Sequence, residues 1–305
     1  MNNLLYKKMM IEDFNSADKY TLIYAPNKDK RSFASIYKLK EKIIFDRILE
    51  IRYSNSSSPE NVIKDYSSIL VSINSEDNKG MLENLKKVNN SIWENKILID
   101  ISGIKTPDLF TLLKYIKLTQ KIETIETIYS MPYDYMFNKE PFTSYKSYEG
   151  ELELCEPIGF SGKSYRDDGS NLIIFLGFEG SLSLKISEEC NYKDLILVNN
   201  LPSFYSKYKD ISVLSNYEII TSDQQVLYTP ADNPFETVNL LSRTVKGNES
   251  VCISPLSTKP VSLGVCMFAL NNDNVRILYP ISDKYKSTKA IDAYRTYVYE
   301  IPLSF

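Results

Sequence analysis

Residues 251–270 read VCISPLSTKPVSLGVCMFAL: a short apolar run, a polar turn holding Ser254, Ser257, Thr258 and Lys259, and a second apolar run at helical spacing. An apolar run of this length bounded by turn residues reads as a buried strand, and the spacing after it reads as a helix packed on that strand. A strand that feeds a helix through such a turn aims backbone N–H groups and the positive end of the helix at whatever lies above it. That is a common way to hold an anion.

Residues 100–116, DISGIKTPDLFTLLKYI, repeat the pattern with Ser102, Lys105 and Thr106 in the turn and Pro107 at the helix start. Each copy leads through a helix and a strand to a Tyr-rich loop, YSMPYDY at 129–135 and YPISDKY at 279–285. Ile101-Ser102 matches Ile253-Ser254 at an offset of 152, Leu22-Ile23 matches Ile173-Ile174 at 151, and Tyr129 and Tyr135 match Tyr279 and Tyr285 at 150. Chance alignment of elements of standard length is one account. A tandem duplication, or two equivalent domains, is the account we prefer, with halves 1–148 and 149–305.

Outward from these turns the chain alternates strand and helix. Strands are expected at 21–25, 47–53, 96–101 and 125–129, with helices after Lys30 (Phe33, Ile36, Tyr37 and Leu39 on one face), at 59–73, 79–88 and 108–118. The second half supplies strands at 171–176, 195–199, 251–254 and 275–279, helices at 181–189 and 261–270, and a helix from Asn233-Pro234 to about Val245. In that last helix Asn is the N-cap and Pro the first helical residue. Residues 131–168 have another texture and hold the boundary, with an extended piece at 151–156. Strands alternating with helices argue for an α/β chain with mostly parallel sheets.

At 305 residues, 43% apolar and 25% charged, the chain has the composition of a globular protein. A net charge of −3 argues against long duplex DNA as a partner. No run of about 18 apolar residues and no apolar leader is present, so a soluble cytoplasmic protein without a membrane partner is expected. The four cysteines form no CxxC pair. The absence of histidine removes Ser-His-Asp and Cys-His catalysis and the His-bearing metal sites, so no metal is expected.

In an open parallel sheet, ligands sit beyond the carboxyl ends of the strands. The turns at Ser102, Gly177 and Ser254 all leave such ends. Lys105, Thr106, Thr258 and Lys259 offer ammonium and hydroxyl groups to phosphate, and Tyr129, Tyr133, Tyr279 and Tyr285 offer rings to bases. Gly177-Phe178-Glu179-Gly180 has the outline of a nucleotide-binding turn without the full GxGxxG, and no GxxxxGK[ST] loop occurs, so no cofactor is expected. Glu179, Asp100, Asp167 and Asp168 are the carboxylates nearest this edge.

The strand followed by SPLSTKPVSLGVCMFAL resembles the signature region of CARF domains, the Rossmann-like sensors of CRISPR systems. There a Thr-Gly-Gly-Thr-Lys type turn precedes a helix of small apolar residues. Ser254, Ser257, Thr258 and Lys259, then Ser262, Leu263 and Gly264, stand at the matching positions, with Leu256 and Ser257 in place of the glycines. Two such units in one chain are similar to the SAVED sensors of bacterial anti-phage systems. The resemblance implies two Rossmann-like halves that take a nucleotide-type ligand between them and signal to an effector or other defence-system protein. A nucleotide- or nucleoside-processing enzyme with Glu179 or Asp100 as its working acid, and a non-catalytic adaptor subunit, remain the alternatives.

Overall fold

The computed structural model describes residues 7–27, 29–53, 69–74, 78–120, 122–135, 146, 148–163, 169–221, 224–247, 249–282, 284–285 and 290–304. In chain order the first elements are β1 (Lys7–Met10), β2 (Lys19–Tyr24), α1 (Arg31–Leu39), β3 (Ile44–Arg52), β4 (Ile69–Asn74), α2 (Asn78–Lys87), β5 (Lys96–Asp100), α3 (Thr106–Tyr115) and β6 (Thr124–Tyr135). Then come β7 (Tyr148–Glu149), β8 (Glu153–Cys155), β9 (Asn171–Phe175), α4 (Gly180–Glu189), β10 (Leu195–Asn200), α5 (Ser206–Ser215), β11 (Gln225–Thr229) and α6 (Pro234–Thr244). The chain ends with β12 (Val251–Pro255), α7 (Lys259–Leu270), β13 (Val275–Ile277), β14 (Tyr279–Ile281), β15 (Lys284–Tyr285) and β16 (Ala290–Pro302).

These elements fall into two compact units, Met1–Met136 with Ser287–Phe305, and Phe137–Lys286. In the first unit the sheet order is β1-β16-β6-β5-β2-β3-β4, parallel from β6 to β4 and antiparallel where β16 and β1 join. The second unit has the all-parallel order β11-β10-β9-β12-β13. Counted within each unit, the parallel strands lie third, second, first, fourth, fifth in both. This is the order of a Rossmann-like α/β sheet, in which the chain reverses direction of growth between its first and fourth strands.

The sequence accounts for this burial. Central strands of a parallel sheet are covered on both faces and so read as nearly unbroken apolar runs. Leu22, Ile48, Leu98, Ile128 and Val298 form one such layer under Ile36 and Leu39 of α1. Leu172, Ile174, Leu197 and Cys252 form its counterpart under Ile186 of α4. The start expected for α6 is present, with the Asn233 side chain accepting from Phe235 N–H at 3.1 Å and Pro234 at the first helical position. Gly264 lets α7 approach α6 closely, since a β-carbon there would overlap the carbonyl of Pro234.

Several expectations are corrected. A second half running to residue 305 does not hold: β16 pairs with β6 and β1 and belongs to the first unit. Residues 69–73, expected as helix, are strand β4, and 59–68 lie outside the described residues. Helix α5 and strand β11 fall between residues 206 and 232, a stretch in which the sequence named no element. Tyr37 points to solvent at 58% exposure, so the buried stripe of α1 is Ile36 and Leu39 with Phe33 beside it.

The shared strand order does not extend to the residue matches. Leu22 stands opposite Leu98, whereas Ile173 stands opposite Ile253. If Leu22 corresponds to Ile173, Ile253 corresponds to Leu98, three residues before Ile101. An odd shift also turns a strand residue to the other face. The position matching Ser102 is therefore Ser257 and not Ser254.

Candidate functional site

In the second unit the chain reverses between β9 and β12, and the turn after β12 crosses the end of β9. Leu256 N–H donates to Phe175 O at 3.1 Å. Ser257 Oγ then donates to Asn200 Oδ1, at the end of β10, at 2.6 Å. Thr258 Oγ1 donates to Ala231 O, beyond β11, at 2.6 Å, and accepts from Val261 N–H at 3.4 Å as the N-cap of α7. One turn thus spans the ends of three strands and delivers the positive end of a 12-residue helix to them.

The hydroxyls expected to meet a phosphate are mostly committed to this scaffold. Ser257 and Thr258 hold the turn, and Ser262 Oγ returns to Pro255 O at 3.2 Å. Lys259, half-buried, opens α7. Two polar atoms remain. Asn200 is 8% exposed and its Nδ2 has no hydrogen-bond partner among the described residues; Ser254 is fully buried and its Oγ has none either. A buried polar atom without a partner costs about 1–3 kcal/mol. Such atoms at a sheet's carboxyl edge mark where an incoming acceptor is rewarded. Asn200 Nδ2 shares its amide with the oxygen bound by Ser257, beside the α7 N-cap. Ser254 faces the α4 side of the sheet, in register with Ile174.

The Gly177-Phe178-Glu179-Gly180 turn is built for packing. A β-carbon on Gly177 would overlap the carbonyl of Leu256, and one on Gly180 the carbonyl of Ser215 at the end of α5. Gly177 O accepts from Asn216 Nδ2 at 2.9 Å and Ser212 Oγ at 3.2 Å. Phe178 stacks at a tilt on Tyr208, with ring centroids 5.1 Å apart. The N-terminal end of α4, where Glu179 is the cap residue, therefore abuts the carbonyl of Ser215 at the end of α5. A carbonyl there complements its partial positive charge. Tyr279, half-buried, pairs with Cys155 in the small β14–β8 ribbon.

At the corresponding edge of the first unit, Asp100 is fully buried and accepts from Ser35 Oγ and from Ser102 N–H at 2.9 Å. Burial raises its carboxyl to about 6, although both hydrogen bonds and the nearby Arg31 charge pull the other way. Ser102 Oγ accepts from Ser130 N–H at 2.9 Å. Arg31, at the start of α1, grips Asp29 through Nε and Nη2 at 2.9 and 2.6 Å, and its guanidinium lies 5.7 Å from the Tyr135 ring. A β-carbon on Gly103 would overlap the carbonyl of Ala25, so the loops after β2 and β5 touch, and Asp100 itself has no exposed surface. A carboxyl sealed in this way does not meet a substrate unless those loops part.

Lys105 donates its backbone N–H to Tyr53 OH at 3.0 Å and places Nζ 4.5 Å from the same ring, while Thr106 is buried as the first residue of α3. The structure brings Ser257, Thr258 and Lys259 together around α7. Ser102, Lys105 and Thr106 are gathered around α3. Asp167 and Asp168 lie outside the described residues.

Sequence reasoning missed Asn200, Asn216, Asp29 and Arg31. Asn199-Asn200, closing an apolar strand just before Leu201-Pro202, carried a signal: amides at the end of a buried strand need partners from the turn above. Asn27 and Asp29, two residues apart ahead of a helix, were readable as successive side-chain acceptors for the N–H two residues on, which is what they are. Asn216 had no local signal.

No protein-family model matches the chain, and no curated protein is significantly similar to it. Among the described residues no helix is long and apolar enough to cross a membrane, and no group of three or more potential ligands gathers to hold a metal ion.

Proposed function

We propose that this chain is a non-catalytic sensor of an anti-phage defence system, that it binds a nucleotide-type ligand through a phosphate seated at the N-terminus of α7, and that it reports occupancy to a separate effector protein. The observation that carries this reading is the buried Asn200 amide beside the α7 N-cap, whose Nδ2 lacks an acceptor among the described residues. A phosphate oxygen there gains a side-chain donor, the helix end and, from Lys259, a cation. The strand order supports the placement, because ligands of such sheets sit at the switch between first and fourth strands. The resemblance of residues 251–264 to the CARF signature supplies the ligand class and the defence setting. The buried state of Asp100 favours binding over catalysis.

The test is a thermal-shift panel of cyclic and linear oligonucleotides on the purified protein, with Asn200→Asp in parallel. At least one compound is expected to raise the melting temperature of the wild type, and Asn200→Asp, which puts a negative charge against the phosphate, is expected to abolish that rise. No shift with any compound would remove the proposal, and a shift unaffected by Asn200→Asp would remove the assigned site.

A further inference from the structure

Strand β11 ends the sheet of the second unit: β10 borders it on one side, and among the described residues no strand borders it on the other. Leu201 N–H donates to Thr229 O at 3.0 Å, so the backbone groups of Thr229 face β10. Backbone groups alternate in direction along a strand. Those of Leu227 and Gln225 therefore face β10 as well, and those of Val226 and Tyr228 face outward. Lone edge strands are usually guarded by lysine, proline or a bulge. β11 reads QVLYT, with no charge and no proline, and its register against β10 is unbroken. The flank of this edge is apolar too. Val226 packs in the layer under α4, so Tyr228, two residues on, lies on the same face of the sheet, where it is 49% exposed. Helix α5 covers that face: Asn199, which shares it with Leu197, donates Nδ2 to Lys209 O of α5 at 3.3 Å. The helix buries Tyr208, Ile211, Ser212 and Ser215 and leaves Val213 and Leu214 exposed, with Tyr217 exposed just past its end. Lys207 in its first turn and Glu218 beyond its last are exposed as well.

We infer that two copies of this chain pair through antiparallel β11 strands about a two-fold axis at Leu227. In this register Val226 of each copy stands opposite Tyr228 of the other. These are the residues whose backbone groups face outward, so each pair exchanges its N–H and C=O groups and two five-stranded sheets join into one. The chain returns along α5 from the carboxyl end of β10 to the start of β11, so α5 runs against its strands. The two copies of α5 then lie antiparallel across the axis. Val213 and Leu214 fall near the middle, and Lys207 of each copy falls toward Glu218 of the other. Opposite charges meet at both ends, and the strand seam holds none. A surface that is apolar at its centre and complementary to itself in charge at its rim fits a second copy of the same chain. The opposite edge of the sheet is closed to such pairing, because Ile277 N–H on β13 donates to Phe160 O at 2.8 Å and Arg276 is bridged to Ser161. The pairing is independent of any ligand at α7.

The experiment is sedimentation velocity on the full chain, without nucleotide, over a wide range of protein concentration. A dimer whose share grows with concentration is expected. Tyr228→Pro, which removes an outward N–H that the ladder with β10 does not use, and Leu214→Glu, which puts a charge at the centre of the helix contact, should each leave the protein monomeric. Leu214 is exposed, so Leu214→Glu folds even where Tyr228→Pro does not. Lys207→Glu and Glu218→Lys should each weaken the dimer several-fold at low salt, and the double exchange should restore it, a rescue that a loss of stability does not imitate. A chain that stays monomeric at the highest concentration, or a dimer left intact by Leu214→Glu and by both charge reversals, would overturn the inference.

Discussion

The carbonyl of Leu256 occupies the space that a β-carbon on Gly177 would need, so the turn after β12 lies directly on the turn after β9. The glycine serves contact between two backbones of the same unit. Gly177→Ala should force the turns apart and destabilise the protein by about 1–3 kcal/mol or more. Gly169→Ala, with open space around it, should stay within about 0.5 kcal/mol of wild type. Denaturant titration of the two variants checks this, and equal midpoints would contradict the packing role of Gly177.

Asp100 makes stability depend on pH in an unusual direction. Its carboxyl rises from an ordinary 3.8 to about 6 in the folded protein. Between these values the folded chain holds a proton that the unfolded chain has given up, so stability falls as pH rises through the window and levels off above it. Asp100→Asn keeps the shape without the charge. It should flatten that part of the unfolding free energy against pH, measured by denaturant titration from pH 4 to 7. An unchanged slope would mean that Asp100 is ionised throughout.

Much of the first-to-fourth-strand frame was legible because parallel strands buried on both faces carry their signal locally, as in Ile97 to Ile99 and Leu172 to Phe175. The turn hydroxyls were legible as residues, and their protein partners were not. A Ser or Thr at a helix start satisfies the helix and its neighbours before anything else, and only the fold shows that Ser257 reaches Asn200 and Thr258 reaches Ala231. Strand β16 was illegible for a related reason: nothing local in Ala290–Pro302 names β6 and β1 as its neighbours. The register that pairs Ser102 with Ser257 is likewise a property of the assembled sheet.

The Ser257–Asn200 bond should be measurable as a coupling. Each single change, Ser257→Ala and Asn200→Ala, removes one partner and strands the other, costing about 1–2 kcal/mol. Together they should cost less than the sum by about 1 kcal/mol, because the second change no longer breaks a bond. Additive costs in this double-mutant cycle would show that the Ser257–Asn200 bond contributes nothing to holding the turn.

Thr258 joins two roles, accepting from Val261 N–H and donating to Ala231 O. Thr258→Ser retains both hydrogen bonds and should lose little, whereas Thr258→Ala should cost about 1–2 kcal/mol through the cap alone. Thr258→Val, which keeps the shape, should behave like Ala. If Val matched wild type, packing of the methyl group would be what matters.

Strand β16 lies between β6 and β1, although it is the last element of the chain. Tyr297, Val298, Tyr299 and Ile301 on it are buried, and Leu303 just beyond is too. Burying a side chain of this size contributes about 1.5–3 kcal/mol, and removing the strand also leaves the ladder edge of β6 open. Exposed strand edges recruit other chains. A chain ended after Lys286 should therefore accumulate in the insoluble fraction, although the cut lies far from every residue of the α7 site in sequence. Supplying residues 287–305 as a separate peptide during refolding should recover soluble protein, read by size-exclusion chromatography. A truncated chain that stays monomeric and melts as the full chain does would show that the sheet closes without β16.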